Sequence, residues 1–493
     1  MPKAKRVDRL NTTVRTAAVA ARVELGVTAR QALPRSSIGV WEPPADRSDP
    51  VALLEGQDRI RVPLLVPIRH ARMAVSPFTF YRGAATVMAS DLGARPNSGL
   101  IVQLCGDAHL ANFGAFAAPD RSIVFDINDF DETNPGPFEW DVLRLATSLV
   151  LAGRDVGLSP EAIANTLVTA AEGYRTQMTV YSDMPDIEVW YDRVSVDAIK
   201  RLAEYEGYKH KAVKQIDKSA AKARTRDAWS AISKLTTVVD GVRRFRDKPP
   251  ILMPIETDDE QKRAVNNMIA AYRDTLPREV QLLMDRYHAI DLAHKLVGVG
   301  SVGLIALVIL FQGRDPNDLI VLQAKQAVPS VLEQFSGASL YANMGERVVI
   351  GQRIMQAASD RFLGWMRSDA GRDLYIRQLR DMKFSPDPSR FDANSLRGYA
   401  ALCGRTLARA HARAGDPVAI SSYLGRSSKF DNAVRDFALA YAHQVEADFA
   451  AYKAAIADGS VSVADESKPV DYRVELSSGA FELVDASSGS AST

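Results

Sequence analysis

Two short stretches of this chain hold residues whose types and spacing could do chemistry together. Gly106-Asp107-Ala108-His109-Leu110-Ala111-Asn112 sets an Asp and an Asn five residues apart. After a short hairpin, Val124-Phe125-Asp126-Ile127-Asn128-Asp129-Phe130-Asp131 is an apolar strand ending in Asp-Phe-Asp. Phosphoryl transfer needs such a set. One carboxylate orients or deprotonates an acceptor hydroxyl, while an Asn oxygen and a second carboxylate hold the metal that neutralises nucleotide phosphates. Asp107 and His109 are therefore the catalytic candidates, His109 either packing against its own loop or serving as a ligand. Asn112, Asp129 and Asp131 are the candidate Mg²⁺ ligands, with Asp129 the principal one and Asp131 holding a second metal or being structural. Carboxylates converging on one point repel each other without a cation, which argues for Mg²⁺. A polar turn with local caps is the competing reading.

A nucleotide site needs further parts. Gly298-Val299-Gly300-Ser301-Val302-Gly303 fits G-x-G-x-x-G, a weak signal alone. A dinucleotide fold needs a helix directly after the glycines, yet residues 304–310 read as a strand. Strand, glycine loop and strand instead form the kinase-type cover whose backbone N–H groups approach phosphate oxygens. The next strand, 319–325, ends at Lys325, the expected clamp for the α- and β-phosphates. Its acidic partner is expected at Glu333, with Glu346 in reserve. Gly298, Gly300, Ser301, Gly303, Lys325 and Glu333 are thus the candidate ATP contacts, against a plain turn and an ordinary strand-end lysine. No Lys occurs between Lys5 and Lys200, so a clamp cannot precede Asp107. The sequence order of the parts must be rearranged, as in a circular permutation.

The elements that would position these residues follow from the wider sequence. The chain has 493 residues, 46% of them hydrophobic and 25% charged, enough to bury a large core. A net charge of +1 gives no global attraction to nucleic acid or membrane, and neither is an expected partner. Two cysteines cannot form a disulfide framework and fit a reducing, cytoplasmic setting. The longest uncharged run, 296–313, approaches membrane-span length, but its glycines and Gln312 favour a buried strand–loop–strand. Helices are expected over 76–92, 138–152, much of 160–235, 258–290, 396–413 and 432–456, and strands over 100–104, 122–127, 292–325 and 373–380. Residues 208–234 are basic, a solvated face or a contact for an acidic group. The expected fold is α+β and two-lobed, protein-kinase-like with permuted lobe order. An arm (1–60) precedes a helix-rich lobe carrying the catalytic loop (61–290). An antiparallel-sheet lobe (291–385), C-terminal helices packing on the helical lobe (386–458) and a disordered tail (459–493) follow.

Cys105-Gly106-Asp107-Ala108-His109-Leu110-Ala111-Asn112, the segment ending Asp129-Phe130-Asp131, and Trp140-Asp141-Val142-Leu143-Arg144 together resemble the catalytic and metal-binding stretch of aminoglycoside and choline kinases. These belong to the protein-kinase-like superfamily. The resemblance implies Asp107 as catalytic base, Asn112 and Asp129 as Mg²⁺ ligands, and Asp141 as a brace for the loop. Cys105 departs from the His usual there. The helix that normally precedes the catalytic loop is resembled by residues 402–411, near the end of the chain. Over nearly its full length the chain also resembles a bacterial family known as domain of unknown function 2252, through Pro67–Met73, Pro77–Gly83, Gly351–Arg353 and Arg377–Lys383. Arg82, Arg353, Arg377, Arg380 and Lys383 are candidate phosphate or acceptor contacts, or else ordinary ion pairs. The expectation is an ATP- and Mg²⁺-dependent phosphotransferase acting on an unknown hydroxyl acceptor. The alternatives are a non-catalytic nucleotide-binding protein, an AMP-transferring enzyme and a metal-dependent hydrolase.

Overall fold

The structure, a computed structural model, describes residues 18–205, 228–296, 298–379, 387–465, 472–477 and 480–485. It is mixed α+β with antiparallel sheets. At its centre lies the helix Glu139–Asp155, buried over nearly its whole length. Apolar residues on every side of that helix demand partners all round. These are the helices Pro160–Asp183, Ala393–Ala414 and Lys429–Ala457, which share one continuous core with it. Ser159 caps the first of these, with Pro160 in its first turn, and a capping box of Asp392 and Ser395 starts the second. Small residues let two of them cross closely. A Cβ on Gly404 would lie 2.1 Å from the Ala170 carbonyl oxygen, and one on Gly173 would lie 3.0 Å from that of Ala401.

Strand β1 (Ile101–Leu104) pairs with β4 (Asn134–Pro137), while β2 (Phe113–Ala117), β3 (Ile123–Ile127) and β5 (Val194–Ser195) form a second small sheet. A hairpin, β6 (Thr236–Val239) and β7 (Val242–Phe245), leads to the largest sheet. Its strands are β8 (Leu252–Pro254), β9 (His288–Lys295), β10 (Ala306–Gln312), β11 (Leu319–Gln326), β12 (Gly364–Arg367) and β13 (Asp373–Gln378). Their order in space is β12-β13-β11-β10-β9-β8, antiparallel throughout. Alternation gives each strand two apolar faces. On one, Leu292, Leu307 and Leu322 pack under Tyr272 and Val280 of the helices Asp259–Arg273 and Arg278–Met284. On the other, Ala293, Val308 and Val321 meet Ile232 and Phe245.

The order of helices and strands follows the sequence expectation closely, with three differences. Residues 18–58 are not a peripheral arm: Leu33, Ile38 and Leu54 sit in the main core, and Arg22 is paired with Asp416 at 2.8 Å. The helical stretch expected to 290 stops at Met284, and β9 begins at His288. In line with the strand–loop–strand expectation, the uncharged run 296–313 holds β10 and the loop that joins it to β9, and among the described residues no helix is long and apolar enough to cross a membrane. In the tail expected to lack order, β14 (Tyr472–Ser477) pairs with β15 (Ala480–Asp485). Most of the basic stretch 208–234 lies outside the described residues. Cys105 and Cys403 are free thiols, both buried.

Candidate active site

The Asp107 loop is built on the helix Glu139–Asp155. After β1 the chain turns through Gly106 at φ +83°, where a Cβ would lie 2.1 Å from the Glu132 carbonyl oxygen, so only glycine fits. Asp141, in the first turn of the helix, accepts hydrogen bonds from the Cys105 and Gly106 amides at 2.8 and 3.0 Å. Behind it His411 Nε2 lies 3.3 Å from the same carboxylate, and the Leu110 amide donates to Ser148 Oγ at 2.9 Å. The loop is therefore fixed before any ligand arrives. Asp107 Oδ1 accepts from Arg144 Nε at 2.6 Å. Burial pushes the Asp107 carboxyl above its ordinary range, only partly opposed by the charges of Arg144 and Arg82. The Asn112 amide nitrogen donates to the Asp107 carbonyl at 2.6 Å, which leaves Oδ1 as the atom Asn112 can offer a cation. His109 is buried, its Nε2 3.6 Å from Asp107 Oδ2. Burial and two arginines push its pKa well down, so it stands neutral beside the carboxylate.

Three segments distant in sequence converge on Asp131. Lys325 Nζ of β11 lies 2.5 Å from Asp131 Oδ2 and 3.8 Å from Asp129 Oδ1. Tyr375, opposite Lys325 on β13, donates its hydroxyl to Asp131 Oδ1 at 2.6 Å. Ser301 Oγ of the glycine loop reaches Oδ2 at 3.2 Å. Burial opposes the charge on Asp131, but the Lys325 ammonium and the hydrogen bonds from Lys325 and Tyr375 outweigh it and hold the carboxyl below its usual range. The pKa of Lys325 is raised for the matching reason: burial lowers it less than Asp129 and Asp131 raise it. Asp129 keeps about a third of its side chain exposed and is the carboxylate left facing the site.

The glycine loop is strapped from below. Arg72 donates to the Gly298 carbonyl at 2.7 Å, Arg61 to that of Val302 at 2.6 Å, and the Val62 amide to that of Gly303 at 2.8 Å. Gly298 and Gly303 have φ of +72° and +95°, while Gly300 does not need a positive φ. With three of its carbonyls held by the chain beneath, the loop is fixed in position beside Lys325.

The sequence-derived candidates do not all meet. Asp129, Asp131, Ser301 and Lys325 do, while Asp107, His109 and Asn112 share one loop whose Asp107 carboxyl senses the charge of Asp131. Glu333 does not serve as the partner of Lys325: its carboxylate accepts from the Ser330 and Ser339 amides at 3.0 and 3.1 Å and lies 3.9 Å from Arg347. Glu346 does not take that place either; Asp131 does, because the β-strand register aims Lys325 across to the Asp129 loop rather than toward the following helix. Asp126 is buried against Arg409 at 2.5 Å, on the far side of its strand. Arg377 reaches the Asn128 carbonyl at 3.3 Å, whereas Arg353 donates to the Leu363 carbonyl just before β12. Arg380 and Lys383 lie outside the described residues.

Three residues escaped the sequence reading. Arg144 was one turn past Asp141 and could have been found from helical spacing. Tyr375 needed the strand register. Arg347, in the helix Met344–Met355, donates to the Asp131, Thr133 and Val328 carbonyls and so ties the segment after β11 to the Asp129 loop. Among the described residues no three His, Cys, Asp or Glu side chains cluster as a self-sufficient metal cage. Asn112 Oδ1 and Asp129 are nevertheless oxygen donors of the kind taken by Mg²⁺, an ion that uses one or two protein ligands and completes its shell with water and substrate phosphates.

No curated protein and no solved structure matches this chain. A family model does, over residues 61–455, a span that carries Asp107, Asp129, the glycine loop and Lys325: the chain belongs to the family described as uncharacterized protein conserved in bacteria, DUF2252.

Proposed function

We propose that this protein is an ATP- and Mg²⁺-dependent phosphotransferase with a kinase-like, permuted arrangement of two lobes, acting on a hydroxyl acceptor. The observation that carries this reading is the meeting of Ser301 and Lys325 on Asp131, from 170 and 194 residues away, with Lys325 Nζ also 3.8 Å from Asp129. A strand, a glycine loop and two further strands, the last bearing a buried lysine, are the parts that hold a triphosphate in kinases. Lys325 would exchange Asp131 for phosphate oxygens, and the loop amides would line the same phosphates. Asn112 and Asp129 would hold Mg²⁺, which supplies charge neutralisation when bound. Asp107, oriented by Arg144, would accept the proton of the acceptor hydroxyl. Its raised pKa makes it a stronger base than an exposed aspartate. Catalysis on this plan is positioning plus electrostatics.

Calorimetric titration of the full chain with a non-hydrolysable ATP analogue, with and without Mg²⁺, tests the reading. Mg²⁺-dependent binding is expected, weakened in both Asp129→Asn and Lys325→Met, with melting curves showing each variant folded. A folded parent that binds no nucleotide refutes the phosphotransferase. Metal binding without nucleotide would point to a hydrolase, and nucleotide binding with no turnover to a non-catalytic module.

A further inference from the structure

Arg82 differs from the other arginines around the site. Arg61, Arg72, Arg144, Arg347 and Arg377 each donate to a carbonyl or a carboxylate. Arg82 Nε is buried with no hydrogen-bond partner, and none of its nitrogens is hydrogen-bonded to another described residue. A buried Nε–H left this way is costly unless something else meets it.

Its position suggests what does. The helix Pro77–Gly83, started by a capping box at Ser76, carries Arg82 in its last turn. Arg144, which holds Asp107, also donates to the carbonyl of the preceding Tyr81 at 2.9 Å. On the other side, a Cβ on Gly300 would be 3.4 Å from the Arg82 carbonyl oxygen. Residue 82 is thus wedged between the glycine loop and the Arg144–Asp107 pair. Phe78 supports the guanidinium, whose Cζ is 5.9 Å from the ring centroid. Burial lowers the Arg82 pKa, and the carboxylates of Asp107 and Asp129 oppose that lowering, so the guanidinium senses both.

We infer that Arg82 is an arginine supplied in cis to the transferring phosphoryl group, meeting its oxygens between Asp107 and Asp129. This rests on the proposed phosphotransferase reading and adds a residue that touches the reacting group. In the transfer, the acceptor oxygen bonds to the γ-phosphorus as the bond from that phosphorus to the β–γ bridging oxygen breaks. The acceptor proton passes to the Asp107 carboxylate and ADP leaves. Charge on the equatorial phosphoryl oxygens then lies where an unpartnered, planar fork of N–H donors can receive it.

The test is calorimetry of the full chain with ADP and Mg²⁺, with and without aluminium fluoride as a mimic of the transferring group, in the parent, Arg82→Ala and Arg82→Lys. Fluoride should tighten ADP in the parent. Arg82→Ala should bind ADP alone within about threefold of the parent but lose about 10- to 100-fold of the tightening. Arg82→Lys should recover part of it, and it carries the same comparison if the alanine variant does not fold. Unchanged tightening in folded Arg82→Ala overturns the role of Arg82 and leaves the phosphotransferase standing. Loss of ADP binding itself in both folded variants overturns it too, by assigning Arg82 to the ground state. A parent that binds neither ADP nor the ATP analogue overturns both.

Discussion

The pair formed by Lys325 and Asp131 bears on stability and on the proposed function at once. Lys325 is nearly fully buried, and its ammonium is satisfied by a carboxylate three-quarters buried. Removing one partner of such a pair leaves the other charge stranded. Lys325→Met should therefore cost about 2–3 kcal/mol in denaturant unfolding, just below the usual buried-pair range because Asp131 keeps Tyr375, Ser301 and some solvent. The sign of the pH dependence follows from the lowered carboxyl. Asp131 binds a proton less readily when folded, so its contribution is present above the ordinary aspartate value of 3.8 and lost as pH falls through the lower native one. Acid unfolding of the parent should steepen in that range, and Lys325→Met should flatten it. Asp107 runs the other way. Burial raises its pKa, so ATP turnover should rise with pH about a midpoint above 3.8. Arg144→Ala, which removes the 2.6 Å hydrogen bond, should move that midpoint higher still and lower the plateau. A pH–rate profile of both proteins checks this, and an unmoved midpoint would exclude Asp107 as the titrating base.

Among the elements, the glycine loop separates shape from contact. At Gly303 the φ of +95° and the closeness of Arg61 Cβ, 2.9 Å from where a Cβ would sit, both oppose a side chain. Gly303→Ala should destabilise the protein by about 1–3 kcal/mol. Gly300 has an ordinary φ, so Gly300→Ala should stay within about 1 kcal/mol of the parent. If the backbone at Gly300 approaches a phosphate, however, its methyl should weaken binding of the ATP analogue. Thermal melts and calorimetry on the same two variants separate the outcomes; equal stability losses would contradict the role assigned to Gly303. The helix crossing at Gly404 and Ala170 belongs to the same scale, with a function in packing alone.

For the whole molecule, the core does not stop where the family match begins. Leu33, Ile38 and Leu54 are buried in the main cluster, and Arg47 bridges Asp91 and Asp448 at 2.8 and 2.7 Å. Each buried aliphatic side chain contributes about 1.5–3 kcal/mol. A chain trimmed to residues 61–455 should therefore melt well below the full chain or fail to fold, measured by circular dichroism. A trimmed chain of unchanged stability would show the first sixty residues to be dispensable after all.

Apolar periodicity and turn residues made most helices and strands legible, because those patterns act over a few neighbours. The Asp107–Asn112 and Asp129–Asp131 spacings and the strand ending in Lys325 were readable for the same reason. The long gap without lysine put the candidate lysine clamp after the Asp107 loop. Tertiary structure alone decided who meets whom. It gave Lys325 to Asp131 rather than Glu333, drew Tyr375 across β13, and set Arg347 between the segment after β11 and the Asp129 loop. It also left Arg82 Nε without a hydrogen-bond partner among the described residues. Contacts across such spans depend on strand register and on how separate elements pack, and neither leaves a mark in the local run of residues.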